Sequence, residues 1–295
     1  TGETVKVHDS RSYMVCAIVC AICLILFASI CVGSTKERIS TSKGESFSLK
    51  RSFSIIKSND QLLVFMLFAM ISNAGWYLTS GVATYYFDVV VGDPNKQSTF
   101  STSSAVGSIV GMLLLPILTK YMSKRRAYQV SLGVAALGYA GMSVSSFAGN
   151  LAVMNICYII GAIGISSMFI AQTIFLADIV DYGEYKLGTR NQSLTFSMKG
   201  FLQKMAYTMQ SIIMFATFAA TKYDFSGDTN ATVQVVNPQA DSAIKFLMFI
   251  VPPIMMAISL VIFSTKFKIY GDFKREILDA VSGKKAELQA NENAE

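Results

Sequence analysis

The sequence predicts an all-α, polytopic membrane protein, and three observations carry that assignment. Of its 295 residues, 52% are hydrophobic and only 15% are charged, with a mean hydropathy of +0.46. Soluble domains carry roughly a quarter charged residues. The apolar residues fall in long blocks, and about 20 of them suffice to cross ~30 Å of hydrocarbon as a helix. No stretch alternates apolar and polar residues in the manner of a membrane β-barrel strand.

The basic residues support the same reading. Most Lys and Arg lie at 36–57, 120–126, 186–190 and 266–285, which are alternate connections and the tail. By the positive-inside rule these segments are cytoplasmic. A net charge of +6 would also suit a nucleic-acid surface, but its confinement to loops disfavours that partner.

Taken in order, a near-neutral stub at 1–12 leads into the first span at 13–33, which exits into Lys36-Glu37-Arg38. The chain has no initiator Met and no leader with a cleavage site, so it is expected to be a piece of a longer protein. Residues 34–60 are a polar connector. Phe47, Leu49, Phe53, Ile55 and Ile56 among Lys50, Arg51 and Lys57 suit either a short amphipathic helix on the membrane surface or a solvated linker.

The second span, 62–87, ends in Tyr85, Tyr86 and Phe87, the composition of an interfacial aromatic belt. Trp76 sits deeper, beside Asn73 and Gly75, where it suits a polar lumen and stacking on a sugar ring. An outer turn holding Asp93-Pro94-Asn95 leads to the third span, 100–119. There Gly107 and Gly111 form a GxxxG pair that permits close helix approach.

A short basic connection at 120–126 precedes the fourth span, 127–147, with Gly133, Gly138 and Gly141. The fifth span, 151–176, ends in a charged hinge, Ala177 to Arg190, before the sixth at 193–221. An outer loop follows, in which Asn230-Ala231-Thr232 matches a glycosylation sequon. The last span, 243–264, should be kinked by Pro252-Pro253, and a charged tail with helical pattern around 273–281 closes the chain. The sum is about seven spans, with the C-terminus cytoplasmic.

Cysteine and histidine offer no catalytic chemistry. Cys16, Cys20, Cys23, Cys31 and Cys157 all lie in apolar runs, where packing explains them better than redox or metal chemistry. His8 is the sole histidine and precedes the first span, which excludes a histidine metal site or a Ser-His-Asp triad inside the membrane.

The charges inside the apolar runs are the informative ones. Lys204 lies about 16 Å deep at ~1.5 Å per residue, near the midplane, where an ammonium needs a partner. No acidic residue of this chain sits at that depth, so the partner is expected in a part of the protein outside it. Lys199 is shallower, at about 10 Å, and either snorkels to the interface or faces a water-filled cavity. Asp178 and Asp181 share one helix face near a C-terminus, where carboxylates oppose the macrodipole, so basic groups should hold them as a latch between helices. Gly183 and Gly188 would let the hinge turn tightly.

These residues resemble a known signature. Ala177-Asp178-Ile179-Val180-Asp181-Tyr182-Gly183-Glu184-Tyr185-Lys186, then Arg190 and Lys204, is similar to the motif of the glycoside–pentoside–hexuronide:cation symporters of the major facilitator superfamily. This family includes melibiose permease and glucuronide permease. Ser34-Thr35-Lys36-Glu37-Arg38, Tyr85-Tyr86-Phe87 and Gly107 to Gly111 support the resemblance. Phe169 stands where melibiose permease has tryptophan, whereas Gln172 matches, and Lys199 lies outside the shared pattern.

The resemblance implies alternating access between two six-helix halves around a midplane site. The chain would be helices six to twelve: 1–33 the last helix of the N-terminal half, 34–60 the central cytoplasmic loop, 61–266 the C-terminal bundle and 267–295 the tail. It implies symport of a sugar with Na⁺ or H⁺, with no other cofactor and no metal site, in a bacterial inner membrane. Lys204 would serve cation coupling with acidic groups of the missing half. Lys199, Gln172, Phe169 and Trp76 are substrate candidates, and Asp178, Asp181, Tyr182, Glu184 and Arg190 a cytoplasmic gate. The two lysines suit an anionic sugar such as a hexuronide or sulfosugar. Two alternatives stay open: a membrane-embedded transferase using Asp178 and Asp181 for Mg²⁺, and a half-carrier that pairs with a separate chain.

Overall fold

The computed structural model describes residues 10–34, 49–221 and 238–292, and those residues are helical throughout apart from short connections. His8, Lys36-Glu37-Arg38, Phe47 and the sequon at 230–232 lie outside the described residues. The chain divides into two units, the first ending at Ser48 and the second beginning at Leu49. The first unit contributes α1, Ser10–Ser34, whose apolar residues are spread around the whole helix rather than along one stripe. That pattern suits a helix surrounded by hydrocarbon.

The second unit holds α2 (Leu49–Ser58), α3 (Asp60–Tyr85), α4 (Asn95–Tyr121), α5 (Lys124–Phe147), α6 (Leu151–Leu187), α7 (Gln192–Ala220), α8 (Pro238–Lys245), α9 (Val251–Lys266) and α10 (Gly271–Glu292). The connector therefore contains the amphipathic helix, α2, and its exposed Phe53 stands 73% accessible. Within this unit α6 packs against α4 and α5, α3 against α7 and α9, and α5 against α9.

Missing side chains allow the closest of these approaches. A Cβ on Gly107 would sit 2.5 Å from the Ile159 carbonyl oxygen, and one on Gly111 would strike the Ile163 carbonyl. The freed space lets Ser167 Oγ donate to the Gly111 carbonyl at 2.7 Å, so the GxxxG pair seats α4 on α6. On the other side of α6, Gly138 of α5 meets the backbone of Gly161, and Gly164 meets that of Ser131 and Ala135. Aromatic rings fill the core between α3, α5, α6 and α9, with Phe68 edge-on to Tyr128, Phe263 and Phe267.

Two expectations need correction. First, α6 does not stop at Leu176: it continues through the charged stretch to Leu187 and ends at Gly188, whose φ of 72° supplies the left-handed cap. Asp178 and Asp181 are thus interior to a helix, and Gly183 lies inside it with Asn59 close by rather than at a turn. Second, Tyr86 and Phe87 form no exposed belt. They are 4% and 1% accessible, lie in a π-helical turn at Tyr86–Val90, and pack on Phe249 and Phe100.

Pro252 and Pro253 lie in the first turn of α9, directly after a second π-helical turn at Phe246–Ile250. The Val251 N–H donates to the Phe246 carbonyl, so the helix runs on through that turn. Six helices among the described residues are long and apolar enough to cross a membrane. The helix left out is α7, which has ample length but carries Lys199, Lys204, Gln203, Gln210 and several hydroxyls. The protein is nonetheless a multi-pass membrane protein by its six apolar helices.

Candidate functional site

Midway along the bundle, α3 and α6 bring three of the sequence-derived candidates together. The Trp76 and Phe169 rings meet edge to face at 5.1 Å between centroids, both half-buried. Three residues along α6 from Phe169, Gln172 is 2% accessible and spreads its amide over α3, donating to Ser72 Oγ and Asn73 Oδ1 at 3.3 Å each. Burial of an amide is tolerated only with such partners.

The aromatic wall continues onto α7. Trp76 packs on Tyr77 at 4.8 Å, and Tyr77 stacks on Tyr207 at 3.7 Å with planes 20° apart. Tyr207 itself is 47% accessible. Wet-edged aromatics beside amides and hydroxyls are what sugar rings dock on, through C–H faces and hydroxyl groups.

Lysine enters from α7. Lys199 is half-buried and its ammonium donates to Thr173 Oγ1, the residue next to Gln172. It therefore points to α6. Lys204 is exposed, and among the described residues no carboxylate lies within 4 Å of its nitrogen. The structure does not bring it to the Trp76–Phe169–Gln172 group by any hydrogen bond among the described residues.

At the other end of the same helices lies a dense ionic cluster. Asp178 is 8% accessible and takes Lys274 of α10 on one oxygen at 2.5 Å and Lys124 of α5 near the other at 3.8 Å. Asp181 faces a different cation: Arg190 reaches it at 3.0 Å and Glu184 at 2.6 Å. The hydrogen bonds it donates to Glu184 first, and then to Asp181, push the Arg190 guanidinium above its usual value. A shared face was thus correct as geometry, but the two aspartates use separate partners, because α10 covers one and the turn after α6 covers the other.

A third contact set was not legible in the sequence. Tyr182 donates to Asp60 Oδ1 at 2.7 Å, and Lys186 pairs with the same oxygen. Asn59 caps α3 by accepting from the Leu62 N–H at 3.0 Å and donates its amide to the Ile179 carbonyl at 3.4 Å. The signal available was the Asn59-Asp60 pair just before an apolar run, a helix-start pattern that says nothing of the opposing helix. Lys274 likewise stood unremarked in the tail; only the fold carries α10 back, where Tyr185 also donates to Glu276 at 3.1 Å. Among the described residues no group of three His, Cys, Asp or Glu could hold a metal ion.

Comparison with known proteins now bears on this arrangement. The family model for MFS/sugar transport protein matches residues 3–270. The chain is 26% identical to the lactose permease of Lactobacillus delbrueckii subsp. bulgaricus over 97% of its own length and 45% of that protein. It is 24% identical to the raffinose carrier protein of Pediococcus pentosaceus, over 94% of the chain and 43% of the carrier. With the putative sulfoquinovose importer of Escherichia coli (strain K12) it shares 24% identity over 68% of the chain and 43% of that protein. The chain spans less than half the length of each of these curated relatives.

Proposed function

The chain belongs to the MFS/sugar transport family, the glycoside–pentoside–hexuronide:cation symporter group, and from that premise we propose that the whole protein is a secondary sugar transporter. Family membership displaces the membrane-transferase alternative, because its members carry solutes rather than catalyse group transfer. The reading extends to symport of a sugar with Na⁺ or H⁺ by alternating access, in a bacterial inner membrane with the C-terminus cytoplasmic. The domain limits at 1–33, 34–60, 61–266 and 267–295, with a further N-terminal half completing the carrier, are part of the same proposal.

The observation that carries it is the Trp76–Phe169 pair with buried Gln172 between α3 and α6. An apolar ring wall next to an oriented amide binds one face of a pyranose and its hydroxyls. Lys204, exposed on α7, takes the coupling role toward acidic groups of the remaining half. The clusters around Asp178, Asp181 and Asp60 tie the α3, α5, α6 and α10 ends together, and their breaking accompanies opening at that face.

One observation favours an anionic sugar as a second reading of the substrate. Lys199 reaches Thr173, so its charge lies one residue from Gln172. A similar protein carries the name putative sulfoquinovose importer, while others are named for lactose and raffinose. Uptake by cells expressing the complete protein tests all of this. Labelled neutral and anionic glycosides are offered with and without a Na⁺ gradient. Concentrative uptake that collapses with the cation gradient supports the proposal; equilibration without accumulation overturns symport.

A further inference from the structure

A cavity lies between α3, α4 and α6, farther from the Asp60 end than the Trp76 cluster. It measures about 200 Å³ and is lined by Ser80, Gln97, Ser101, Ser104 and Tyr158, with Ala83 and Phe100 as its apolar part. Ser80 is one helical turn beyond Trp76, about 6 Å along α3, while Tyr158 on α6 is about 16 Å from Phe169. The cavity therefore lies along α3 from the Trp76 cluster and shares no lining residue with it.

Its walls are built rather than incidental. Phe100 and Tyr158, each 2% accessible, stack face to face at 3.9 Å with planes 3° apart. Gln97 donates to Thr84 Oγ1 at 2.8 Å and so joins α4 to α3 across the cavity mouth. The hydroxyls of Ser80, Ser104 and Tyr139 lie around that of Tyr158. Behind it the Tyr139 hydroxyl is fully buried and faces those of Thr79 and Tyr158.

The lining selects a ligand class. Every polar group is a hydroxyl or an amide, able both to donate and to accept, and no charged side chain lines the space. The volume suits one ring rather than two. We propose that this cavity is a second carbohydrate site, which holds one neutral pyranose ring on its way to or from the Trp76–Phe169–Gln172 cluster. The inference rests on the sugar-transport reading above and adds a site to it.

The test uses the complete protein in nanodiscs, with native cysteines replaced and Ser104→Cys introduced. The probe is whichever neutral glycoside the parent takes up best among methyl hexosides, lactose and raffinose. Alkylation of the new thiol by a maleimide is timed with and without that sugar. At about ten times the dissociation constant, occupancy slows alkylation roughly ten-fold. The slowing should persist when Gln172→Leu removes the other site. No slowing, or slowing that vanishes with Gln172→Leu, overturns the second site while leaving transport intact.

A separate variant guards against misfolding of the double mutant. Ser104→Leu fills the cavity and should raise the half-saturation concentration for uptake by roughly three-fold or more with little change in maximal rate. An unchanged half-saturation overturns the inference. A parent that takes up no neutral glycoside overturns the transport reading itself, and the second site with it.

Discussion

Gln172 and Asn73 face each other across α6 and α3, the amide of one donating to the carbonyl oxygen of the other at 3.3 Å. Because Ser72 accepts from the same nitrogen, the Gln172 side chain is fixed beside the Trp76–Phe169 pair rather than free to rotate. Gln172→Leu keeps the bulk and removes these bonds, leaving Asn73 Oδ1 without its donor. We expect sugar uptake to fall by about ten-fold or more, with surface abundance near that of the parent. Uptake kinetics beside a surface-labelling control separate the two quantities; a matching loss of abundance would reduce Gln172 to a folding residue.

Helix packing yields a prediction with an internal control. Gly111→Val places a branched side chain against the Ile163 carbonyl and Ser166, in a contact with no room to open. Gly133 meets nothing within 4 Å of its missing Cβ, so Gly133→Ala adds a methyl to open space. The first should lower the thermal midpoint of the detergent-solubilised protein by several degrees or abolish folded protein. The second should be neutral or stabilising by up to about 1 kcal/mol, since alanine favours helix over glycine. Fluorescence-detected size exclusion after heating reads both.

Charge at the substrate region can be tested without touching its shape. Lys199→Gln removes the cation that donates to Thr173 while retaining length and a donor. If the natural substrate is anionic, this variant loses anionic uptake by about ten-fold and neutral uptake by much less, because a charge-assisted bond is worth about twice a neutral one. Equal losses for labelled anionic and neutral glycosides would remove charge recognition from Lys199.

Asp178 is a buried carboxylate held by two lysines, one from α5 and one from α10. Asp178→Asn leaves Lys124 and Lys274 beside each other with only Asp181 nearby to offset them, and because the Lys124 side chain is 48% exposed the cost falls below the ~3–5 kcal/mol of a fully buried pair. Lys274→Ala should cost less, since Lys124 still faces the carboxylate. Thermal midpoints of the two variants in the same detergent check the order, and the reverse order would show that Lys124 carries no share of the pairing.

How much of this was legible beforehand follows from the range of each interaction. The membrane class and the Gly107–Gly111 pair rest on composition and spacing, which are local to each helix, whereas Phe169 and Gln172 were picked out only by the family resemblance and their meeting with α3 is tertiary. The end of α6 was misplaced because charged residues were read as leaving the membrane, whereas hydrogen bonding continues to Gly188 regardless of polarity. Tyr86 and Phe87 were misread because an aromatic run at a helix end looks the same whether a neighbouring helix covers it or lipid does. Asp60, Lys124 and Lys274 went unseen as partners, since each meets its counterpart only through the tertiary path of another helix.

That last point makes the Asp60 cluster the sharpest test of the described geometry. Asp60 Oδ1 receives both the Tyr182 hydroxyl and the Lys186 ammonium, so the two donors share one acceptor from adjacent turns of α6. Tyr182→Phe alone removes one bond, worth about 1 kcal/mol, and leaves Asp60 paired with Lys186. Lys186→Ala alone leaves Asp60 accepting from Tyr182 and from the Gln61 amide, which donates at 2.9 Å to its other oxygen. Only the double variant strips Oδ1 of both donors. Its destabilisation should therefore exceed the sum of the single effects by about 0.5–1 kcal/mol, the coupling expected of residues in one network. A double-mutant cycle in denaturant or temperature reads this directly, and strict additivity would mean that Tyr182 and Lys186 do not share Asp60.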